Sequence, residues 1–362
     1  MSCDQQPPLG ESKLMAVLEV ENLVTSYPSA MRGKTIKAVN DVSITLNAGE
    51  IVGLVGESGC GKSTLGRSIV GLEKPQSGRV IFDGVDLGSL SGGRLREVRR
   101  AVQYVFQDPY ASLNDRQTVG EAIAEALIIK GMRSKEQRAA RTTELLDQVG
   151  LATQVRDRFT RELSGGQRQR VAIARSLAVE PRVLICDEPV SALDLSIRAQ
   201  VMNLFMGLRR DLGVACLFIA HDLGLVRQAS SRVYVMYLGR IVEMGTSEDV
   251  YNHPSHPYTQ LLLASVPAAD PIEERNRKVP LLVGEIPSPT NPPSGCAFRT
   301  RCPLAVADCA TALPPQIEVS AGHRAACVLA EKVFRGERSA LDVPPESGRM
   351  PGQVRLMTAA AL

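Results

Sequence analysis

"EIVGLVGESGCGKST", residues 50–64, decides the architecture. An apolar run at 51–55 leads into a glycine-rich turn, and the turn into "STLGRSIVGL", whose apolar spacing is helical. Strand, tight loop and helix in that order is the opening of a parallel α/β sheet. The loop fits G-x-x-x-x-G-K-[ST] at Gly56, Gly61, Lys62 and Ser63. Gly56, Gly59 and Gly61 let the backbone fold tightly and turn its N–H groups onto phosphate oxygens, with Ser58 among the ATP-binding residues of the loop. A helix starting near Lys62 adds its positive end. Lys62 then reaches the β- and γ-phosphates, Ser63 ligates Mg²⁺, and Thr64 adds a further phosphate contact.

"RVLICDEP" (182–189) and "VACLFIAHD" (214–222) are short apolar runs that end in acidic or His residues. Strands buried on both faces of a parallel sheet read this way, with chemistry at their C-terminal ends. Asp187 is the expected metal residue and Glu188 the general base on an attacking water. "LEVENLVTSY" and "VNDVSITLN" read as further strands, and 133–151 and 196–213 as helices. "LSGGQRQR" (163–170) puts Ser164, Gly165, Gly166 and Gln167 at a helix start, a second anion-binding surface. One nucleotide needs only one phosphate site, so this second surface is expected to serve nucleotide bound to another subunit.

Composition narrows the classes. The net charge is +3 and there is no Trp, so the Arg clusters at 94–100 and 156–161 read as solvated helix faces, and no nucleic-acid partner is expected. The N-terminal stretch lacks the basic start and apolar run of a signal peptide. No apolar run approaches the eighteen or so residues of a membrane span. Eight cysteines without a secretion signal do not suggest a disulfide framework. After residue 253 prolines accumulate and periodicity fades. The expected division is a leader at 1–16, a nucleotide-binding unit at 17–253, a loop-rich C-terminal domain at 254–335 and a tail at 336–362.

With the signature at 163–167, the chain resembles the ATP-binding-cassette ATPases over about residues 17–250. Gln107 in "VFQDP" matches the Q-loop, Asp194 in "SALD" the D-loop, and His221 in "IAHD" the switch histidine. Tyr27 stands where an aromatic would stack on adenine. The resemblance implies a RecA-like P-loop core with an antiparallel β subdomain and a helical subdomain at about 108–175. It further implies ATP with Mg²⁺ sandwiched in a head-to-tail dimer. Glu188 would activate water, His221 would hold the γ-phosphate, and Gln107 would sense Mg²⁺. About a hundred residues separate the phosphate loop from the signature, too few for the long coiled coil of chromosome ATPases.

"VMYLGRIVEMGTSEDVYNHPSHPYTQLLLASVP" and "GEIPSPTNPPSGCAFRTRCP" are similar to the oligopeptide/dipeptide permease ATPase subunits, more to the F-type than to the D-type chain. That implies an importer subunit at the cytoplasmic face of the membrane. Its partners would be a second, different ATPase chain, two transmembrane permease subunits and an extracytoplasmic solute-binding protein. An ATP-gated clamp on nucleic acid or the ribosome is the alternative. Cys296, Cys302, Cys309 and Cys327 follow C-x5-C-x6-C-x17-C, neither a zinc-ribbon nor a plant-type ferredoxin spacing. Some members of the resembled family bind a [4Fe–4S] cluster in this region. A cluster, zinc or another metal, and an unliganded or partly disulfide-bonded state all stay open. A structural staple outside the ATP site is expected, leaving nucleotide binding independent of it.

Overall fold

The computed structural model describes residues 16–29, 34–190, 195–266, 278–280, 285–342 and 356–358. Two long strands, β1 (Ala16–Pro28) and β2 (Thr35–Asn47), pair antiparallel, with Leu18 opposite Leu46 and Val20 opposite Ile44. The chain then enters β3 (Ile51–Val55), which is buried along its whole length. Helix α1 (Lys62–Ile69) follows. Strands β4 (Ser77–Phe82) and β5 (Val85–Asp86) return to the first sheet, whose order is β2-β1-β4-β5.

Helix α2 (Gly92–Ala101) leads into β6 (Val102–Val105). A helical layer comes next: α3 (Pro109–Ser112), α4 (Val119–Lys130), α5 (Lys135–Gln148) and α6 (Gly165–Leu177). Local chemistry sets its starts. Thr118 and Glu121 close a reciprocal capping box at α4, and the Ser134 hydroxyl accepts from the Gln137 N–H at α5. Ile123, Leu127, Leu145, Leu146 and Val171 bury their side chains together beneath it.

The remaining core is β7 (Val183–Asp187), α7 (Leu195–Leu212), β8 (Ala215–Ala220), α8 (Leu223–Ala229), β9 (Arg232–Tyr237) and β10 (Arg240–Thr246). Strands β9, β3, β8, β7 and β6 are parallel neighbours. Alternate residues on these strands face two different cores. Ile51, Leu184, Cys186 and Phe218 join the cluster under the helices. Val52, Ile185, Leu217 and Ile219 join the cluster that packs against β1, β2 and α1. Both faces are covered, which is why these strands are continuous apolar runs rather than alternating ones.

Past β10 the chain forms α9 (Ser247–Asn252), α10 (Pro257–Ala264), the short strand β11 (Lys278–Pro280), α11 (Asp308–Thr311), β12 (Ile317–Ser320), β13 (His323–Ala325), α12 (Ala330–Phe334) and β14 (Leu356–Thr358). β13 pairs antiparallel with β10 and β12 with β13, so the large sheet runs β12-β13-β10-β9-β3-β8-β7-β6. Phe298, Cys302 and Ala340 belong to the same apolar cluster as the helical layer's core. The proline-rich C-terminal segment therefore adds strands to the sheet and shares its core. The buried Glu243 carboxylate ties it down, accepting from the Ser255 N–H at 2.6 Å and the His256 N–H at 3.0 Å, with His323 Nε2 at 2.8 Å.

Candidate functional site

The phosphate loop lies between the end of β3 and the start of α1, at the C-terminal edge of the parallel sheet. Gly61, the α1 N-cap, has φ +108, and a Cβ there would run into the Ala38 carbonyl oxygen. Gly56 is as tightly enclosed, against the Met236 carbonyl. Only glycine fits either place. Ser58 and Gly59 are exposed at the loop's tip, with Thr64 half-buried behind them. Lys62 is buried and its Nζ donates to the carbonyls of Gly56 at 2.7 Å and Glu57 at 3.0 Å. Burial raises the pKa of the Cys60 thiol in the same loop.

Strand β7 brings Asp187 to this loop. The Ser63 hydroxyl donates to Asp187 Oδ1 at 2.9 Å, and the Tyr104 hydroxyl on β6 donates to Oδ2 at 2.6 Å. Burial, then the Asp187 charge, pushes the Tyr104 phenol well above its ordinary pKa, so it stays a donor. Ser63 and Asp187 supply adjacent hard oxygens of the kind Mg²⁺ takes. Glu188 follows at φ +43, its N–H donating to the Ile219 carbonyl at 2.9 Å. The Gln107 amide donates to Glu188 Oε2 at 2.8 Å, and His221 Nδ1 is 3.3 Å from the same oxygen. Ser63 with Asp187, and Gln107 and His221 around Glu188, thus form two connected groups, with Lys62 held within the phosphate loop beside them.

The signature sits apart from them. Ser164 caps α6 in a capping box with Gln167, the Gln167 N–H donating to Ser164 Oγ at 3.3 Å. Ser164 is exposed, Gly165 and Gln167 are half-buried, and Gly166 is buried. Among the described residues no hydrogen bond joins them to the phosphate loop. Tyr27 is half-buried near the end of β1, opposite Ile36. Asp194 lies outside the described residues.

The four C-terminal cysteines line one small cavity of about 10 Å³, together with His256 and Phe298, and all four are free thiols. Burial raises the pKa of the Cys296 and Cys302 thiols and pushes Cys327 up to about 12. Among the described residues no group of three or more His, Cys, Asp or Glu side chains is disposed to hold a metal ion. The donors match a metal–thiolate site in kind and number, but their spacing does not. The sequence-based expectation of an iron–sulfur cluster therefore has no support in this geometry.

Two sets of contacts were not visible in the sequence. Tyr104 is one, since a tyrosine in "VQYVF" carries no signal of its Asp187 partner. The other reaches the loop from the C-terminal segment. Arg301 makes a bidentate contact with the Glu57 carboxylate, and the Glu57 N–H donates to the Tyr258 hydroxyl at 2.9 Å. These contacts join the C-terminal segment to the phosphate loop through residues other than the cysteines.

The ABC transporter family model matches residues 39–191, and the model for the oligopeptide/dipeptide transporter C-terminal region matches 242–309. The oligopeptide transport ATP-binding protein OppF of Salmonella typhimurium is 51% identical over 296 residues, 82% of this chain and 88% of that protein. The chain belongs to the ABC transporter ATPase family. OppF of Escherichia coli is 50% identical over the same shares, which bears out the expected likeness to the F-type subunit. A solved ABC cassette dimer, in a post-hydrolysis state bound to ADP and Pi, is 31% identical with a TM-score of 0.59. It matches 64% of this chain and 98% of its own. The P-loop cassette fold expected from the sequence is therefore the fold found. Among the described residues, no helix of this ABC ATPase is long and apolar enough to cross a membrane.

Proposed function

We propose that this chain hydrolyses ATP to energise peptide uptake through separate membrane subunits of an ABC importer. The hydrolytic half rests on one observation: a Glu188 carboxylate held between Gln107 and His221, beside the Lys62, Ser63 and Asp187 group. The transport half is supported by the matched C-terminal region and by relatives named for oligopeptide transport. Relatives named for peptide import and oligopeptide transport favour this reading over a nucleic-acid or ribosome clamp.

In this reading the loop N–H groups and Lys62 bind the β- and γ-phosphates, and Tyr27 stacks on the adenine. Ser63 and Asp187 fit Mg²⁺, which when bound supplies charge neutralisation for the phosphates. Tyr104 fixes the Asp187 carboxylate against that load. Glu188 takes the proton of the attacking water, while His221 holds the γ-phosphate. Gln107 donates to Glu188 through its amide nitrogen, so its amide oxygen would be able to help hold Mg²⁺, which suits a sensor. Ser164 to Gln167, exposed at a helix start, would complete the site of a second ATPase chain, with Asp194 at the same interface. A groove of about 810 Å³ beside the helical layer, lined by Leu72, Arg96, Phe106, Ile129 and Arg175, supports docking of the membrane subunits there. Leu72 and Ile129 are 58% and 61% exposed. The chain would thus work at the cytoplasmic face of the membrane, downstream of an extracytoplasmic binding protein.

In the same proposal, 253/254 separates the cassette from its C-terminal region within one shared core, and the tail from 336 begins with residues that include the buried Ala340. A metal–thiolate site, [4Fe–4S] or zinc, at the cysteine cavity is also part of it, supported by four thiols on one cavity and requiring them to rearrange. Anaerobically purified protein free of iron, sulfide and zinc would remove that part. For the function itself, Glu188→Gln should bind ATP, trap a dimer with the partner chain and lose turnover by at least about 10²-fold. Unimpaired turnover overturns the role of Glu188. Stimulation by RNA instead of by membranes carrying the permease subunits overturns the importer reading.

A further inference from the structure

Glu57 is an awkward residue for a loop that must accept a triphosphate. Its carboxylate adds negative charge beside the phosphate site, where like charges repel. The structure neutralises it from a distance of 244 residues. Arg301 Nη1 donates to Oε2 at 2.7 Å and Nη2 to Oε1 at 2.9 Å, the fork geometry that makes such pairs strong. The arginine side chain is 4% exposed, against 21% for the glutamate. Its position is fixed by an aromatic group. Tyr237, Tyr258 and Phe298 pack with ring centroids 4.8 to 5.4 Å apart, and Arg301 Nη1 also donates to the Tyr237 hydroxyl at 3.4 Å.

All of Glu57's polar groups are held: the carboxylate by Arg301, the N–H by Tyr258 and the carbonyl by Lys62. Two of these three anchors come from the C-terminal segment. Arg301 lies between Cys296 and Cys302, its N–H donating to the Phe298 carbonyl at 2.9 Å. We propose that Arg301, with Tyr258, is a positioning residue that fixes Glu57 and cancels its charge, so that the cysteine-bearing segment sets the ATP affinity of the phosphate loop.

This rests on residues 56–64 being the ATP phosphate loop. A loop that is competent only part of the time binds its ligand more weakly in proportion. The chain's binding of a fluorescent ATP analogue should therefore weaken about tenfold in Arg301→Ala, the loss expected for one charge-assisted hydrogen-bonding group. Arg301→Lys keeps the charge but loses the two-pronged contact, so its loss should fall between wild type and Arg301→Ala. The decisive readout is Arg301→Ala combined with Glu57→Gln. Removing the stranded carboxylate should recover at least half of the loss on a logarithmic scale, which a merely structural arginine would not allow. Because Arg301→Ala can loosen the aromatic group, Arg301→Lys and Glu57→Gln are measured beside it, with thermal melts on each.

Wild-type affinity in Arg301→Ala, or strictly additive losses in the double variant, overturns the inference. Lys62→Ala separates it from its premise. If Lys62→Ala abolishes binding while Arg301→Ala does not alter it, the positioning role alone fails. If Lys62→Ala binds ATP normally, the phosphate-loop reading fails and the inference with it.

Discussion

His256 gives the fold an acid-labile point next to the nucleotide site. Its side chain is 1% exposed and packs 5.8 Å from the Phe298 ring. As the N-cap of α10, its Nδ1 accepts from the Tyr258 N–H at 3.0 Å. Adding a proton at Nδ1 would break that bond and bury a charge, and burial lowers the imidazole pKa to about 3. The unfolded chain, with an ordinary histidine pKa of about 6.5, takes up the proton first as pH falls. Stability from this group is thus complete above about pH 6.5 and is lost progressively toward about pH 3, at roughly 1.4 kcal/mol per unit. Between about pH 7.5 and 5.5 the loss is about 1.3 kcal/mol. Urea unfolding of wild type and His256→Asn at both pH values isolates it, because Asn keeps a helix cap but does not titrate. The variant should lose about 1.3 kcal/mol less than wild type on acidification. Equal losses in the two proteins would refute the buried, neutral imidazole.

Tyr104→Phe removes one of two donors to the Asp187 carboxylate and should cost about 1.5–3 kcal/mol in the same unfolding assay, with a weaker response of ATPase activity to Mg²⁺. The loss should not change up to about pH 9, because the wild-type phenol stays protonated there. Glu243→Ala strands two backbone N–H groups and His323 in a dry interior, so a loss of about 3 kcal/mol or more is expected, at about 1–3 kcal/mol per stranded donor. Limited proteolysis should show the segment after β10 opening first in that variant.

What was legible in the sequence is what local chemistry encodes. Gly56, Gly61, Lys62 and Ser63 act through consecutive backbone and side-chain groups, so their spacing alone identifies them. Asp187 and Glu188 were legible because a doubly buried strand has to be continuously apolar before it ends. The C-terminal segment was harder. Its strands β12 and β13 are only four and three residues long, and proline-rich flanks hide them. Arg301 and Tyr258 look like any arginine and tyrosine until the fold carries them 244 and 201 positions back to Glu57. The cysteines were foreseen as one group, and one cavity does gather them, but thiol spacing depends on loop geometry that no count of intervening residues encodes.

The pairing of β13 with β10 bears on how this chain can be divided. Removing everything after residue 253 would leave β10 as a bare edge strand, its ladder groups open to any other chain. The same cut would strip Glu243 of His323 and of the Ser255 and His256 N–H groups. A buried carboxylate without partners is among the costlier faults a core can carry. The nucleotide-binding portion and its cysteine-bearing extension are therefore one unit of inheritance: a gene fusion or loss at that point would hand on an aggregating half, whatever became of its ATP site.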